Sequence, residues 1–396
     1  MTTRSDPTDA LPVAAFKAAP EDFVVDEVPA YEPSGQGDHL FVTFRKTGLT
    51  TDDAVRRLAR ALGVDARDAG VAGMKDKVAV TTQTVSFLVP KATQADVASL
   101  QAALVAAGSD ERELTVLASA RHNNKIKPGH LTANRFRIRL TKLASADDRA
   151  RIVRGLERVA EVGVPNFYGA QRFGTDQANA ERALAFIRGE TRPPRDKRQV
   201  RFLFSAFQSS LFNKTLERRI EEGTWADVLG GDLAKKHDTG GLFLVPLEGP
   251  DLDDARARAK SGSISATGPM FGASMRQPEG HPAEIEAAVL REANIDADTL
   301  ARFKHAGEGT RRALRLDVAD LRWSESGDDL VVEFALSKGG YATTVLSAVC
   351  RLDEGRGGGA RHGRSDDPSD TAAANAATPE ACADEDERQS GLDIST

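Results

Sequence analysis

Within this 396-residue chain, the residues best suited to chemistry are Lys75-Asp76-Lys77. A carboxylate between two ammonium groups is held ionised by opposite charge. That is the state a nucleophile or general base needs at neutral pH. Taken alone, the same turn also fits a solvated hairpin tip. A second set is Arg121-His122-Asn123-Asn124-Lys125-Ile126-Lys127-Pro128-Gly129-His130, running on through Leu131 to Arg139. From Arg121 to Arg139 it holds six Lys or Arg and no acid. In a strand, Arg135, Arg137 and Arg139 would share one face and Phe136 and Ile138 the other. Such a row of guanidinium groups suits a polyphosphate backbone, where neutralised phosphates release counterions. Lys75, Arg121, Lys125, Lys127 and Arg135 are therefore candidate contacts to an RNA backbone. Arg192-Pro193-Pro194-Arg195-Asp196-Lys197-Arg198 either extends that track or forms a solvated linker.

Other chemistries lack their residues. The seven histidines show no His-Glu-x-x-His or comparable ligand spacing, and no Gly-x-Ser-x-Gly elbow occurs. Two cysteines, Cys350 and Cys382, support neither a disulfide scaffold nor a cysteine metal site. Cys350 lies in an apolar run and reads as a small core residue.

The elements that would carry these residues follow from periodicity. Phe23 to Val28, His39 to Arg45, Val71 to Gly73, Val80 to Val89, Glu113 to Ala118 and Asn134 to Lys142 read as strands. Thr51 to Leu62, Thr93 to Ala107 and Ser145 to Val162 read as helices, the last with Ser145 as N-cap. From about Pro165 the pattern becomes more helical, with helices at Phe202 to Glu222, Pro282 to Ala293 and Asp296 to His305. Gly268-Pro269-Met270-Phe271-Gly272 reads there as a turn. Strand signals return at Ala313 to Leu316 and Leu330 to Leu336, and Tyr341 to Arg351 reads as a closing helix. The organisation implied is an α+β protein. Residues 1–12 are expected to be disordered, and 13–164 to form the first part of a domain. Residues 165–316 would be a more helical insertion, and 317–352 would close the first domain. Residues 353–396 would be a disordered acidic tail.

Composition sets the frame. With 40% hydrophobic and 28% charged residues, the chain has the make-up of a soluble globular protein. No stretch approaches a membrane span, and Met1 to Pro12 lacks the apolar core of a signal peptide, so cytoplasm is the expected location. The net charge of -6 lies in the tail: residues 353–396 carry -7, leaving about +1 on the rest. Local patches therefore decide what the folded part binds.

Five ordered segments resemble the TruD family of tRNA pseudouridine synthases. They are Lys17-Ala18-Ala19-Pro20-Glu21-Asp22-Phe23-Val24-Val25-Asp26-Glu27, the stretch Ala72 to Gln83 around Asp76, and Arg121 to Lys125 with Asn134-Arg135-Phe136. Val164 to Gly174 and Gly340-Tyr341-Ala342-Thr343-Thr344-Val345 complete the set. The resemblance implies a pseudouridine synthase catalytic domain with a mixed, largely antiparallel sheet, interrupted by an inserted TRUD domain. It implies that Asp76 is the catalytic aspartate, with no cofactor and no metal. Phe23, Asn134 and Tyr341 would surround the target uridine, with Lys17 near the same pocket. Tyr341 departs from the family's usual phenylalanine, keeping a stacking ring and adding a hydroxyl. The implied substrate is tRNA, by analogy at uridine-13, and a monomer is the expected state. A catalytically silent RNA-binding protein or tRNA chaperone on the same fold is the alternative; the intact Lys75-Asp76-Lys77 disfavours it.

Overall fold

Apolar alternation becomes strands through the first part of the chain. The computed structural model describes residues 11–90, 96–174 and 178–354. It begins with β1 (Val13–Phe16), β2 (Phe23–Pro29), β3 (His39–Thr47), α1 (Thr51–Leu62), β4 (Gly70–Val71) and β5 (Val80–Leu88). Next come α2 (Val97–Ala106), β6 (Leu114–His122), β7 (Leu131–Leu140), α3 (Ala146–Val162) and β8 (Val164–Pro165). The middle holds α4 (Asn179–Ile187), α5 (Lys197–Glu221), β9 (Leu233–Lys236), β10 (Leu242–Leu244), α6 (Pro250–Lys260) and β11 (Ile264–Met270). It ends with α7 (Gly280–Glu292), α8 (Ala297–Arg302), β12 (Thr310–Ala313) and β13 (Arg315–Leu316). The chain closes through β14 (Ala319–Ser326), β15 (Asp329–Ser337), α9 (Ala342–Ser347) and β16 (Arg351–Glu354).

The main sheet has eight strands in the order β14-β15-β7-β2-β5-β3-β6, with β4 paired to β5 off that path. Within it β2 and β5 run parallel and the other pairs antiparallel. The fold is thus α+β, with a mixed, largely antiparallel sheet. Helices cover it in two groups. Phe23, Val25, Ile138, Val332 and Phe334 pack with Ile152 and Leu156 of α3 and with Val345 and Leu346 of α9. Leu40, Val42, Phe44, Val85 and Phe87 pack with Leu58 of α1 and Leu104 of α2.

Helix α1 shows why the local reading works. The Thr50 hydroxyl accepts from the Asp53 amide at 3.1 Å, and Asp53 takes the Thr50 amide in return. Ala54, Val55, Leu58, Ala59 and Leu62 form one buried face. Gly63 ends the helix at φ 68, a left-handed position open to glycine without strain. Ser145 caps α3 through the Asp148 amide, as its sequence implies.

The middle segment leaves and returns at one place, because β8 and β13 pair antiparallel with Val164 opposite Leu316. Between them lie α4 to α8 and a four-stranded sheet ordered β10-β9-β11-β12. Several expectations change here. Gly268, Pro269 and Met270 are not a turn but the end of β11, which pairs with β12 there. β9 pairs only with residues 264–266, so Pro269 has no second ladder on its nitrogen side to interrupt. The helix expected from Phe202 starts at Lys197, since the Asp196 side chain caps it through the Arg198 amide. The closing helix stops at Ser347, and Arg351 opens a strand instead. Strand β16 pairs parallel with β1 in a separate two-stranded sheet, so Asp353 and Glu354 belong to that sheet rather than to the tail. Residues 1–10, 93–95 and 355–396, part of three expectations, lie outside the described residues. Cys350 is a core residue, and burial pushes its thiol up to about 12.

Candidate active site

Asp76 stands on the loop between β4 and β5, and hydrogen bonds fix that loop from beneath. The Lys75 amide donates to the Thr51 hydroxyl at 2.9 Å, and Thr51 donates to the Gln83 side chain at 3.1 Å. Gln83 in turn reaches the Gly73 carbonyl. The Lys46 ammonium donates to the Asp76 carbonyl at 2.7 Å. On the far side the Gly129 amide donates to the Ala72 carbonyl at 2.8 Å. The Asp76 side chain itself remains 57% exposed.

The expected charge arrangement changes at this point. Neither flanking lysine pairs with Asp76. Lys75 turns inward and pairs with Glu27 at 2.5 Å, both side chains under a tenth exposed, while Lys77 is exposed to solvent. The partner of Asp76 is Lys17, whose ammonium lies 2.6 Å from its carboxylate. Lys17 adopts a left-handed backbone with φ 56, which costs a residue with a side chain about 1–3 kcal/mol. Its ammonium also sits 4.2 Å from the centre of the Phe23 ring.

Phe23 and Phe136 have become core. Phe23 is 4% exposed, against Phe16 and Phe136. Phe136 stacks on Phe334 at 5.3 Å. The Phe23 ring is thus closed off and lies under the Lys17 ammonium. Tyr341 remains 37% exposed, at the N-terminus of α9. It lies four residues past Ser337, at the end of β15 whose Leu336 is paired with Asn134. Asn134 also pairs with Glu27 across β2 and β7. Its Oδ1 is buried and, among the described residues, has no hydrogen-bond partner. A buried amide oxygen without a donor is costly unless a ligand supplies one.

The expected phosphate-binding residues divide in two. Lys75 is paired with Glu27, and the half-buried Arg121 guanidinium donates to the Val89 and Pro90 carbonyls. Arg135 lies on the opposite face from Asn134 because strand residues alternate, and Asp26 stands beside it on β2. Arg137 and Arg139 on that face are matched by Glu333 and Asp329 of β15. Lys125 and Lys127 are exposed on either side of buried Ile126, whose amide donates to the Ser86 hydroxyl. Their loop is the one that clasps Ala72.

Lys46, Thr51, Gln83 and Glu27 had no place in the sequence reading of the site. Lys46 did have a signal. It follows Leu40, Val42 and Phe44 in the inward phase of β3, where a lysine is out of place. Beside the site, a cavity of about 130 Å³ is lined by Glu27, Tyr31, Phe41, Thr84, Ile126 and His130. The Tyr31 hydroxyl meets His130 Nδ1 at 2.8 Å there. Among the described residues no group of His, Cys, Asp or Glu side chains could hold a metal ion, and no helix is long and apolar enough to cross a membrane.

The family model described as tRNA pseudouridine synthase D (TruD) matches residues 12–192 and 196–349. The tRNA pseudouridine synthase D of Anaeromyxobacter dehalogenans (strain 2CP-C) is 44% identical, covering 86% of this chain and 93% of that relative. That of Thermus thermophilus is 36% identical over 85% of this chain and 89% of the relative. A crystal structure of a TruD protein from Methanosarcina mazei superimposes with TM-score 0.68 at 25% identity, covering 86% of this chain and 94% of that one. The class shown by the family model and the shared fold is the pseudouridine synthase, an isomerase. Within that class, the chain belongs to the TruD family.

Proposed function

We propose that this protein isomerises a uridine of tRNA, at position 13, to pseudouridine with Asp76 as the nucleophile. The observation that carries this reading is the exposed Asp76 carboxylate held 2.6 Å from Lys17 on a loop tied down at its backbone. The isomerisation breaks the N–C glycosidic bond, turns the base and rejoins it through C5. The C5 proton leaves and N1 gains one, so the composition of the nucleotide is unchanged. An ionised carboxylate can attack the sugar or the base, or take a ribose proton, and each route needs it fixed at the ribose–base junction. The target base must first leave its stack, at a cost of a few kcal/mol. Stacking on the exposed ring of Tyr341 offsets about 1–3 kcal/mol of that. The side-chain amide of half-buried Asn134 can donate to and accept from a uracil edge. Exposed Lys125 and Lys127 supply charge for the tRNA backbone. Residues 165–316 read as an inserted domain, since the chain leaves and returns at the β8–β13 pair.

The test is a comparison of wild type with Asp76→Asn on an unmodified tRNA transcript, mapping pseudouridine by carbodiimide-dependent primer-extension stops. A stop at position 13 with the wild type, and none with a variant that still binds tRNA, is expected. Product from Asp76→Asn would remove the nucleophile assignment. No stop on any tRNA with the wild type would favour an RNA-binding role on the same fold.

A further inference from the structure

We propose that Lys46 is a positioning residue for Asp76, its buried ammonium pinning the peptide of the nucleophile. The inference rests on the reading of Asp76 as nucleophile. Lys46 is 0% exposed, yet it lies at the inward phase of β3 opposite Thr81 of β5. Its ammonium donates to two backbone carbonyls, Leu49 at 2.8 Å and Asp76 at 2.7 Å. Among the described residues no carboxylate forms an ion pair with it.

A cation in this position is expensive. Desolvation is not repaid by a partner at ion-pair distance, and an apolar side chain of similar volume is often no worse for stability. The usual account of a buried lysine, that it holds the fold together, therefore fits poorly. What the ammonium does accomplish is local. Leu49 precedes the N-cap of α1, and Thr51 in the first turn of α1 accepts the Lys75 amide. Thr51 and Lys46 thus hold the peptide groups on either side of the Lys75–Asp76 peptide, through the Lys75 N–H and the Asp76 C=O, against one helix end. With both fixed, the direction in which the Asp76 side chain leaves the loop is set, and Lys17 can meet it.

The charge environment agrees. Burial draws the Lys46 ammonium down from its ordinary 10.5 to about 8, opposed first by the negative charge of Asp76. Lys75 works in the same direction as burial, and Asp53 against it. Lys46 and Asp76 are therefore coupled through charge as well as through the carbonyl. Lys46 touches no substrate, and its effect passes through the placement of Asp76.

The experiment compares wild type, Lys46→Met and Asp76→Asn in single-turnover and steady-state assays on tRNA transcript, with melting temperatures. Lys46→Met keeps the shape and removes the charge and both donors. The expected result is a melting temperature at or above wild type and KM for tRNA within about threefold. The turnover rate is expected to fall about 100-fold, the usual scale for misplacing a reacting group by about 1 Å. A folded Lys46→Met with wild-type turnover, or one altered only in KM, overturns the proposal, while an inactive Asp76→Asn beside it leaves the nucleophile assignment intact. An active Asp76→Asn removes that assignment and the proposal with it. If Lys46→Met fails to fold, the wild-type pH profile decides. Turnover falling as pH rises through about 8, with the melting temperature maintained, supports the proposal. Turnover level from about pH 7 to about pH 10 overturns it.

Discussion

Lys17 reaches Asp76 from a strained backbone position, and the strain has to be held in place by its surroundings. The ion pair itself does little for stability. With Asp76 more than half exposed, a pair of this kind contributes about 0–1 kcal/mol. Lys17→Met should therefore leave the melting temperature nearly unchanged and lower turnover roughly 100-fold, by letting the carboxylate move. Calorimetry and single-turnover rates check this, and a variant with wild-type turnover would reduce Lys17 to a surface charge. Lys46 makes stability depend on pH. Its folded-state value near 8 lies below the unfolded 10.5, so the unfolded chain binds more protons between those values. Its burial penalty is full below about 8 and is relieved as pH climbs towards 10.5. The wild type should gain stability relative to Lys46→Met across that window, even as its turnover falls, in parallel melting curves.

At the scale of elements, the strand that delivers Lys17 depends on the far end of the chain. β1 ends at Phe16 and pairs in parallel with β16, Val13 opposite Arg351 and Phe16 opposite Glu354. The Arg351 amide also donates to the Pro12 carbonyl at 2.8 Å. A chain ending after Glu354 should turn over tRNA as the full chain does. One ending after Cys350 should lose β16 and leave β1 on its bridge at Thr141, with Lys17 adrift and turnover down about 100-fold. Equal activity of the two truncations would show that β16 does not position Lys17. This pairing was not visible in sequence, where Tyr341 to Arg351 has the look of one helix. Local signals served well where they were self-contained. The caps and apolar face of α1 specify Thr51 to Leu62 without help from the rest of the molecule. β16 is too short to announce itself, and its ladder partner lies at the opposite end of the chain.

For the whole molecule, charge decides binding by where it stands. Lys125 and Lys127 protrude beside the site, whereas Lys75 is paired with Glu27 and Arg121 with backbone carbonyls. Replacing Lys125 and Lys127 together with Glu should weaken tRNA binding and flatten its salt dependence, by about one unit of slope for each phosphate no longer neutralised. Turnover at saturating tRNA should hold. Binding measured across a salt series checks this, and an unchanged slope would place the phosphate-binding residues elsewhere. The sequence by itself determined the α+β class and the family, because alternation, caps and motif order are local properties. The tertiary structure alone decided which cation meets Asp76. Neighbours in a turn cannot all point at one carboxylate, so Lys75 went to Glu27 and the partner came from Lys17, 59 residues away. It also decided that Phe23 lies below the site and that Lys46 is buried beneath it, since burial depends on what distant strands and helices bring against a residue.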